Sequence, residues 1–422
     1  MAPIIVQKFG GTSLSDPDRL EKCAQRVARM AAEHRLVIVV SAMGGTTDWL
    51  LNLAREITET PDTRSLDMLL STGELVSTSL MAIALSDKGI PAIPMTGAEA
   101  GITTDEIHGK ARIRSIQSTK LHDLLDDGIV PVVAGFQGAT EFGQITTIGR
   151  GGSDTSAVAI AAALDVSSTG GRCEIYTDVD GVYTSDPKVV PGARKLERIG
   201  VDEMLELASV GAGVLQERAV VFARRYNVPL KVLHSYHDGT GTLVLPENPE
   251  MERNPVVGCA LREELGRISL TGIPKGAETQ ARIFLGMSEA GIFVDDIVQT
   301  EDNDSVSVAF TVEHGDLAQA RDVARIQLDH LGHVDAEVNV EIGLAKISAV
   351  GAGMRSHVGI AGHMFEALNK AQVPILNITT SEIRISCLIP HDRGADGLRA
   401  IHKAFGLEHE SSQSPRSIQE AD

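Results

Sequence analysis

VQKFGGTSL, residues 6–14, places a lysine between an apolar run and two glycines. The residues before it, Pro3-Ile4-Ile5-Val6, predict a buried strand, and Thr12 to Pro17 is rich in helix-capping residue types. A strand that ends at paired glycines and continues as a helix leaves backbone N–H groups free at the turn, and such groups bind phosphate. The alternative is a tight turn with a solvated Lys8, because the spacing does not fit the glycine-rich P-loop that ends in Gly-Lys-Ser/Thr.

Composition and charge limit the classes of protein to which this chain can belong. Its 422 residues predict two or three domains. The formal net charge of −19, from 38 basic and 57 acidic residues, argues against a nucleic-acid-binding surface. No apolar run reaches the ~18 residues that a membrane span requires, and the N-terminus lacks the features of a signal peptide. An acidic protein that handles anions must concentrate its few cations locally, which draws attention to Lys8 and Arg150.

The cysteines indicate neither a metal site nor a disulfide framework. They lie far apart, with no CxxC or Cys/His pairing, at Cys23, Cys173, Cys259 and Cys387. We therefore expect a protein of the reducing cytoplasm, without a metal centre of its own, that binds neither membranes nor nucleic acids.

Apolar runs alternate with helical patterns over residues 1–245, which predicts an α/β domain with its ligand at the carboxyl ends of the strands. The predicted strands are Ile4–Phe9, Leu36–Val40, Ile129–Ala134, Cys173–Thr177 and Leu230–Leu233. Loops of small residues follow three of these strands, at 10–13, 41–45 and 177–181. A fourth such loop, at 149–154, follows a further run, Gln144–Ile148. Four such loops favour one shared binding site over four unrelated turns. The loop at 149–154 opens an alanine-rich predicted helix, Ala157–Leu164.

A change in composition separates this domain from an internal repeat. Three prolines among polar residues at 246–255 indicate a linker, which we assign to 246–258. The segment Ile283–Ile292 then resembles His363–Val373, and each copy lies between predicted strands. Two small βαββαβ modules are predicted, at 259–342 and 343–407, and the tail at 408–422 is predicted to be disordered.

Five short motifs, in this order, resemble those of the aspartate kinases in the amino-acid-kinase family. They are KFGGTS at 8–13, SAMG at 41–44, STGE at 71–74, GRGGSD at 149–154 and YTDVDGVYTSDP at 176–187. The repeats resemble a pair of ACT regulatory modules, with VGAGM at 350–354 and TSEIRIS at 380–386. The resemblance extends over 6–407 and implies a three-layer α/β/α sandwich followed by two ferredoxin-like modules.

The resemblance also implies a reaction. The γ-phosphoryl group of ATP, with Mg²⁺ bridging its phosphates, would be transferred to the side-chain carboxylate of L-aspartate, the first step toward lysine, threonine and methionine. A carboxylate with a pKa near ~4 is already ionised at neutral pH, so the nucleophile needs no general base. It needs positioning, and a cation that reduces the repulsion between two anions.

The family motifs assign roles to individual residues. Lys8 resembles the lysine that faces the transferring phosphoryl group, and Asp154 would orient that lysine or the substrate. Glu74, in a Ser-Thr-Gly-Glu loop before an apolar helix, suits the substrate ammonium, and Arg150 suits its α-carboxylate. For the two acids the alternative is stabilisation of a helix N-terminus, and for Ser41 it is a helix cap. The other substrate-binding candidates are Thr47, Gly151, Gly152 and Ser153, and the nucleotide-binding candidates, with Lys8, are Gly10, Gly11, Ser41, Thr177, Asp178, Tyr183, Asp186 and Lys188.

ACT pairs in this family bind end-product amino acids. The resemblance therefore implies lysine, threonine or both as allosteric effectors, and a homo-oligomer joined through the modules. Phe293 stands where related chains often place asparagine, which leaves the effector preference open. The alternative is that the candidate effector contacts only complete a β-sheet; they are Asp295, Gln299, Met354, Asn377 and Ile378.

One position departs from the family pattern. Gly213 stands where the family segment normally carries a lysine that would stabilise charge on the leaving ADP, and losing such a contact typically costs ~10² to 10³ in rate. The cations considered as substitutes are Lys188, Arg218 and Arg224. We therefore hypothesise a slow or specialised kinase, with a catalytically degenerate, amino-acid-binding regulator as the alternative. The repeats and the STGE motif disfavour a third possibility, a family member that phosphorylates glutamate or a nucleotide.

Overall fold

The computed structural model describes residues 2–211, 213–246, 255–301, 305–355 and 357–408. Of these residues, those within Met1–Tyr183, Lys195–Ser209 and Gly213–Met251 form a first compact unit. Those within Thr184–Arg194, Val210–Ala212 and Glu252–Asp422 form a second. Most of the predicted linker, 247–254, and most of the predicted tail, 409–422, lie outside the described residues, and the domain boundaries stay predictions.

The first unit contains two sheets and the helices that cover them. Its strands are β1 (Ile4–Phe9), β2 (Arg35–Val40), β3 (Ala92–Met95), β4 (Ile102–Thr104), β5 (Ile113–Ile116), β6 (Val130–Ala134), β7 (Gln137–Ala139), β8 (Ile145–Thr147), β9 (Arg172–Thr177), β10 (Arg198–Gly200), β11 (Leu230–His234) and β12 (Thr242–Leu245). Its helices are α1 (Pro17–Ala31), α2 (Thr46–Ile57), α3 (Thr63–Asp87), α4 (Thr119–Asp126), α5 (Gly152–Ala163), α6 (Val201–Ser209) and α7 (Glu217–Tyr226).

The main sheet has eight strands in the order β10-β12-β11-β9-β1-β2-β6-β3, and a smaller sheet has the order β5-β4-β7-β8. In the main sheet the strands pair in parallel except β11 with β12. The central strands β1 and β2 are almost entirely buried and mostly apolar, as expected where helices cover both faces of a parallel sheet. The chain leaves β1 for α1, where Asp16 caps the helix by accepting a hydrogen bond from Arg19 N at 2.9 Å.

The predicted strands of this unit are confirmed to within one residue at each end. The predicted helix at 157–164 begins earlier than expected, at Gly152, so that the end of the glycine loop forms the first turn of α5. The sequence pattern missed this because Gly152, Ser153 and Asp154 are poor helix formers in a helix interior, although they are suitable at a helix start.

The 25-residue helix α3 is long and apolar enough, by length and composition alone, to cross a membrane. Its buried residues include the carboxylates of Asp67 and Glu74, 1% and 3% exposed, and it contacts α1, β3, β6 and β8. A helix that carries two acids on its buried side and packs on a sheet is typical of the core of a globular domain, because buried acids need polar partners.

The second unit is built on one six-stranded sheet in the order β14-β15-β13-β16-β18-β17. Its strands are β13 (Gly258–Pro274), β14 (Asp295–Glu301), β15 (Ser305–Glu313), β16 (Glu337–Val350), β17 (Asn377–Thr380) and β18 (Arg384–Pro390). Its helices are α8 (Ala277–Glu289), α9 (Leu317–His330), α10 (Ile360–Lys370) and α11 (Gly394–Ala404). The strand order is symmetric about the β13–β16 pair, as the internal repeat predicts.

The two repeats share their long strands, which the sequence did not indicate. Residues 258–262 of β13 pair with 346–350 of β16, whereas residues 267–271 pair with 337–341. The last strand of the first repeat continues through Gly343, at φ 72°, into the first strand of the second repeat. The predicted short strands at 267–270 and 346–349 were therefore too short, because each is only one part of a strand of 17 or 14 residues.

The segment Thr184–Arg194 packs in the second unit, although its sequence continues a motif of the first. Thr184 O accepts a hydrogen bond from Cys259 N at 2.8 Å, and Thr184 Oγ1 lies 2.9 Å from His402 Nε2. Both Thr184 and His402 are fully buried. The two halves of the motif at 176–187 therefore pack in different units.

Candidate active site

The carboxyl ends of β9, β1, β2 and β6 lie side by side, because these strands are neighbours that run in parallel. Lys8, near the end of β1, forms an ion pair with Asp154 in the first turn of α5. Its Nζ lies 2.6 Å from Asp154 Oδ1, and the two side chains are only 12% and 9% exposed. The cation predicted from the sequence is thus held at the sheet edge by a helix that begins there.

The turn after β1 is tied to both neighbouring strands. Gly10 N donates to Tyr176 O of β9 at 3.3 Å, and Ser41 N, just after β2, donates to Phe9 O at 3.1 Å. The Gly10 N–H is therefore used within the sheet. Of the two glycines, Gly11 is the one whose N–H remains a candidate for binding phosphate.

Glu74 reaches the loop after β2 from α3. Its Oε1 accepts a hydrogen bond from Ala42 N at 3.0 Å, while its Oε2, also buried, has no hydrogen-bond partner among the described residues. Burial raises the pKa of Glu74 to about 7, against the opposing effect of the Ala42 hydrogen bond. A buried carboxylate with one unbonded oxygen is suited to accept an ammonium group.

The prediction that Ser71–Glu74 forms a loop was wrong, and so was the alternative that Glu74 stabilises a helix N-terminus. All four residues lie in the interior of α3. Gly73 suggested a turn, but its role is packing, since a Cβ at this position would lie 2.9 Å from Ala42 Cβ. The glycine lets the helix approach the loop after β2 closely enough for Glu74 to bond it.

Arg150 and the N-terminus of α5 add positive charge at the same sheet edge. Gly151, at φ 69°, is the N-cap residue, and a Cβ there would lie 2.1 Å from Gln216 Cγ, so only glycine fits. The first N–H groups of a helix lack intrahelical acceptors and carry the positive end of its dipole. In the first turn Gly152 N already donates to Gly149 O at 2.9 Å, so Ser153 supplies such a group. The Arg150 side chain before the helix is exposed to solvent.

Phe136, between β6 and β7, was not a sequence candidate. It adopts φ 65°, which is unusual for a bulky residue, and its carbonyl accepts a hydrogen bond from Ile148 N at 2.8 Å. Strained backbone of this kind clusters at functional sites. Nothing in the sequence marks this conformation, because phenylalanine is not a residue that favours a left-handed turn.

Besides Lys8 and the glycines after β1, the nucleotide-binding candidates of the first unit lie at the end of β9, in the loop that follows it, and after β2. Thr177 ends β9, where its carbonyl accepts a hydrogen bond from Ser235 N at 2.9 Å, and Asp178 beyond it is exposed. The Tyr183 hydroxyl donates to Asp180 Oδ1 at 2.6 Å, and this bond raises the pKa of Tyr183 to about 12. Ser41 follows β2, and Thr47 lies in the first turn of α2.

Two further nucleotide candidates, Asp186 and Lys188, belong to the second unit. Both are exposed, and Lys188 N donates to Asp186 Oδ1 at 2.8 Å. Their assignment stays a prediction.

The two arginines considered as substitutes for a lysine at Gly213 are engaged elsewhere. Arg218 donates to Ile148 O at 2.6 Å, and Arg224 forms an ion pair with Asp202 at 2.9 Å. The Arg218 guanidinium is therefore committed to the fold, whereas the Arg224 pair is solvent-exposed, and exposed pairs of this kind contribute little.

The predicted effector residues of the second unit fall into two groups. Met354 lines a cavity of about 330 Å³ together with His357, Ile360 and Thr380. Asn377 and Ile378 begin β17, the strand that ends at Thr380. Neither residue lines this cavity, and Ile378 is 44% exposed.

Asp295 and Gln299 lie on β14, at one edge of the sheet. Asp295 forms an ion pair with Lys346, whose side chain is only 2% exposed and which also lies 3.1 Å from Asp296 Oδ2. Gln299 accepts a hydrogen bond from Gln280 Nε2 at 3.2 Å. An effector that binds Asp295 would therefore compete with, or share, the Lys346 ammonium.

Within the part of the chain that the structure describes, no group of three or more His, Cys, Asp or Glu side chains is placed to hold a metal ion. The four cysteines are free thiols and are buried.

Comparison with known proteins finds likenesses for both units. Residues 3–234 match the model of the amino acid kinase family, and residues 347–405 match a model of the ACT domain. The chain is 46% identical over 412 residues to the aspartokinase of Geobacillus stearothermophilus, covering 97% of this chain and 98% of the relative. The solved structure of E. coli aspartokinase III in complex with aspartate and ADP (R-state) is similar, with a TM-score of 0.80 at 27% identity over 95% of this chain and 99% of that one. The E. coli aspartokinase III complex with lysine and aspartate (T-state) gives a TM-score of 0.74 at 26% identity, with the same coverage.

Proposed function

This chain belongs to the amino acid kinase family, as an aspartate kinase with a C-terminal ACT domain, and we propose how its residues phosphorylate the side-chain carboxylate of L-aspartate. One oxygen of that carboxylate attacks the γ-phosphorus of ATP, the bond between this phosphorus and the bridging oxygen of ADP breaks, and an acyl phosphate forms without proton transfer. The observation that carries the proposal is the buried Lys8–Asp154 pair at the sheet edge that Glu74 also reaches.

Each substrate group has a complementary residue in this arrangement. The unbonded Oε2 of Glu74 accepts the α-ammonium of aspartate, and the exposed guanidinium of Arg150 binds its α-carboxylate. Thr47 and the α5 N-terminus, at Gly151, Gly152 and Ser153, complete the substrate site. The side-chain carboxylate of aspartate then faces Lys8.

Lys8 acts on the phosphoryl group rather than on a proton. Its ammonium, held by Asp154, reduces the repulsion between the incoming carboxylate and the γ-phosphate as they approach. MgATP is the second substrate, and its metal ion neutralises the remaining phosphate charge. The proposed contacts of MgATP in the first unit are the Gly11 N–H group, with Gly10 beside it, and Ser41, Thr177, Asp178 and Tyr183. Asp186 and Lys188 stay predictions from the motif.

The assay that tests this proposal traps the acyl phosphate with hydroxylamine in the presence of MgATP and aspartate. Glutamate is the matched control substrate, because it differs by one methylene and carries the same charged groups. We expect hydroxamate from aspartate, and a kcat/KM for glutamate lower by ~10- to 200-fold or more. If aspartate raises the melting temperature of the protein but gives no hydroxamate, the chain is instead a degenerate amino-acid-binding regulator.

The second unit is the site at which we expect regulation. The cavity lined by Met354 and the Lys346-bound Asp295 support binding of a cationic or zwitterionic amino acid, for which lysine and threonine are the proposed effectors. We propose a homo-oligomer joined through this unit, and a reducing cytoplasm as its location, which the four buried free thiols support. Activity unaffected by both amino acids, added singly and together, would contradict the effector proposal.

Replacing Gly213 with lysine is expected to increase kcat by up to ~10², because it restores a cation toward the leaving ADP. Gly213 is exposed and adopts φ 48°, so a side chain there also lowers the stability of the fold by ~1 kcal/mol. Gly213→Gln is the matched control, since it has the same backbone cost without the charge. A kcat for Gly213→Lys no higher than that of Gly213→Gln would show that this position does not limit the rate.

A further inference from the structure

The carboxylate of Asp67 is buried and belongs to none of the predicted sites. It accepts hydrogen bonds from two chain segments next to Arg150, which are the end of β8 and the loop at Gly109. Asp67 lies in α3 and is 1% exposed. Thr147 Oγ1 donates to its Oδ1 at 2.5 Å, and Gly109 N donates to the same oxygen at 3.0 Å. His108 Nδ1 lies 2.8 Å from Oδ2, and because a carboxylate only accepts hydrogen bonds, this nitrogen carries the proton.

Both of the bonded segments reach the Arg150 loop directly. Thr147 is the last residue of β8, three positions before Arg150. Gly109 packs on Gly149, since a Cβ at Gly149 would lie 3.0 Å from Gly109 O. One carboxylate therefore bonds both the strand before Arg150 and the loop packed against Gly149.

Arg218 joins the same two segments from the other side. Its Nη1 donates to Ile148 O at 2.6 Å, and its Nη2 donates to Ala111 O at 3.1 Å. Ala111 N in turn donates to Thr147 O at 2.9 Å. The base of the Arg150 loop is thus fixed by directional bonds on two sides, while the guanidinium of Arg150 itself remains in solvent.

Asp67 and Glu74 lie on the same side of α3. They are seven residues apart, which is about two helical turns and roughly 10 Å along the axis. Between them, Ser71 O accepts a hydrogen bond from Gln137 Nε2 of β7 at 3.0 Å. One rigid helix therefore bonds the loop that carries Arg150 at one position and supplies Glu74 at another.

We propose that Asp67, with His108 and Thr147, is a positioning residue that sets the distance between Arg150 and Glu74. This distance has to match the separation of the α-carboxylate and the α-ammonium in the amino acid substrate, so Asp67 determines how well aspartate binds. The proposal rests on the proposed function, because it assigns those two substrate groups to Arg150 and Glu74. A merely structural Asp67 would contribute to the stability of the first unit without changing the relative affinities for the two substrates.

Thr147→Val tests the proposal with the smallest change, since valine keeps the shape of threonine and removes the hydroxyl that bonds Asp67. We expect KM for aspartate to increase about tenfold, with KM for MgATP and kcat changed by less than about twofold, because small displacements of a substrate-binding group have large effects. Thr147→Ser, which keeps the hydroxyl, is expected to restore KM for aspartate to within about threefold of the wild-type value.

Thr78→Val, on the same helix as Asp67, is the matched control. It also removes a buried hydroxyl, but one that bonds only back to Glu74 O within α3, at 2.6 Å. Its KM for aspartate should remain within about twofold of the wild-type value.

Asp67→Asn supplies a larger change and a readout that is independent of turnover. Aspartate should no longer raise the melting temperature of this variant, whereas MgADP still should. The proposal is overturned if Thr147→Val has the same KM for aspartate as Thr78→Val, or if both Michaelis constants and kcat change together. A wild-type protein that forms no acyl phosphate at all contradicts the proposed function instead, and the aspartate-induced thermal shift then still tests Asp67.

Discussion

Lys8→Met is expected to lower kcat for aspartate phosphorylation by ~10² to 10³, the cost typical of removing one group that stabilises developing charge. Methionine keeps the length and the apolar stem of the side chain and removes only the ammonium. KM for aspartate should change by less than about threefold, because Glu74 and Arg150 carry the ground-state contacts in the proposed site. A fall in kcat with little change in KM identifies an interaction made mainly in the transition state.

The same substitution has a cost in stability that has to be separated from its effect on catalysis. Asp154, 9% exposed, loses its only ion-pair partner among the described residues, and breaking a buried pair in this way costs ~3–5 kcal/mol. The double variant Lys8→Met/Asp154→Asn removes both charges and is expected to recover much of the melting temperature while remaining inactive. Recovery of activity in the double variant, or more than about a tenth of the wild-type kcat in Lys8→Met, would contradict the proposed role of Lys8.

Local patterns were sufficient to predict the strands and the loops that meet at one edge of the main sheet. The strand before Lys8 and the glycines after it were confirmed, and parallel neighbours in the sheet bring the loops after β1, β2 and β9 to one edge. These features depend on residues close in sequence: apolar runs predict strands, and small residues at their ends predict turns. The carboxyl ends of parallel strands then meet wherever the strands pair.

Features that depend on long-range contacts were not predictable in this way. Gly73 suggested a turn, but it is a helical residue that makes room for the Ala42 loop, a contact across the fold that local propensity cannot show. Asp67 gave no pattern of its own, since its partners Gly109 and Thr147 lie 42 and 80 positions away. The seven-residue spacing between Asp67 and Glu74 was the one available indication, because it places two acids on one side of a helix.

The division of the nucleotide motif also required the structure. Tyr183 and Lys188 are five positions apart, yet they pack in different units, and Thr184 between them bonds to Cys259 and His402 far along the chain. A continuous motif predicts a continuous site only when all of its residues pack on the same core.

Glu74→Gln is expected to increase KM for aspartate by ~10- to 10²-fold at pH 8, since hydrogen bonds to charged groups are worth ~1.5–3 kcal/mol. It should also remove a pH dependence that the wild type shows. With a pKa of about 7, Glu74 is ionised to roughly a tenth at pH 6 and nine-tenths at pH 8, so KM for aspartate in the wild type should fall about tenfold over this interval. The glutamine variant carries no charge at either pH, and its KM should stay nearly constant.

Stability should change in the opposite direction to substrate binding. Because the folded-state pKa of Glu74 is raised above its ordinary value of 4.5, the stability that this group contributes is fully present below pH 4.5 and is lost as the pH rises through about 7. Glu74→Gln should therefore melt at a higher temperature than the wild type at pH 8, by an amount equivalent to up to ~3 kcal/mol, with little gain at pH 4.5. Glu203→Gln is the control, since Glu203 is equally buried in α6 and bonds Gly200 N at 3.2 Å, away from the substrate groups. If Glu74 is kept buried for a ligand, the glutamine variant should bind aspartate poorly and yet be more stable than the wild type at pH 8. A Glu74→Gln protein that is less stable than the wild type at pH 8 would show that Glu74 serves the fold instead.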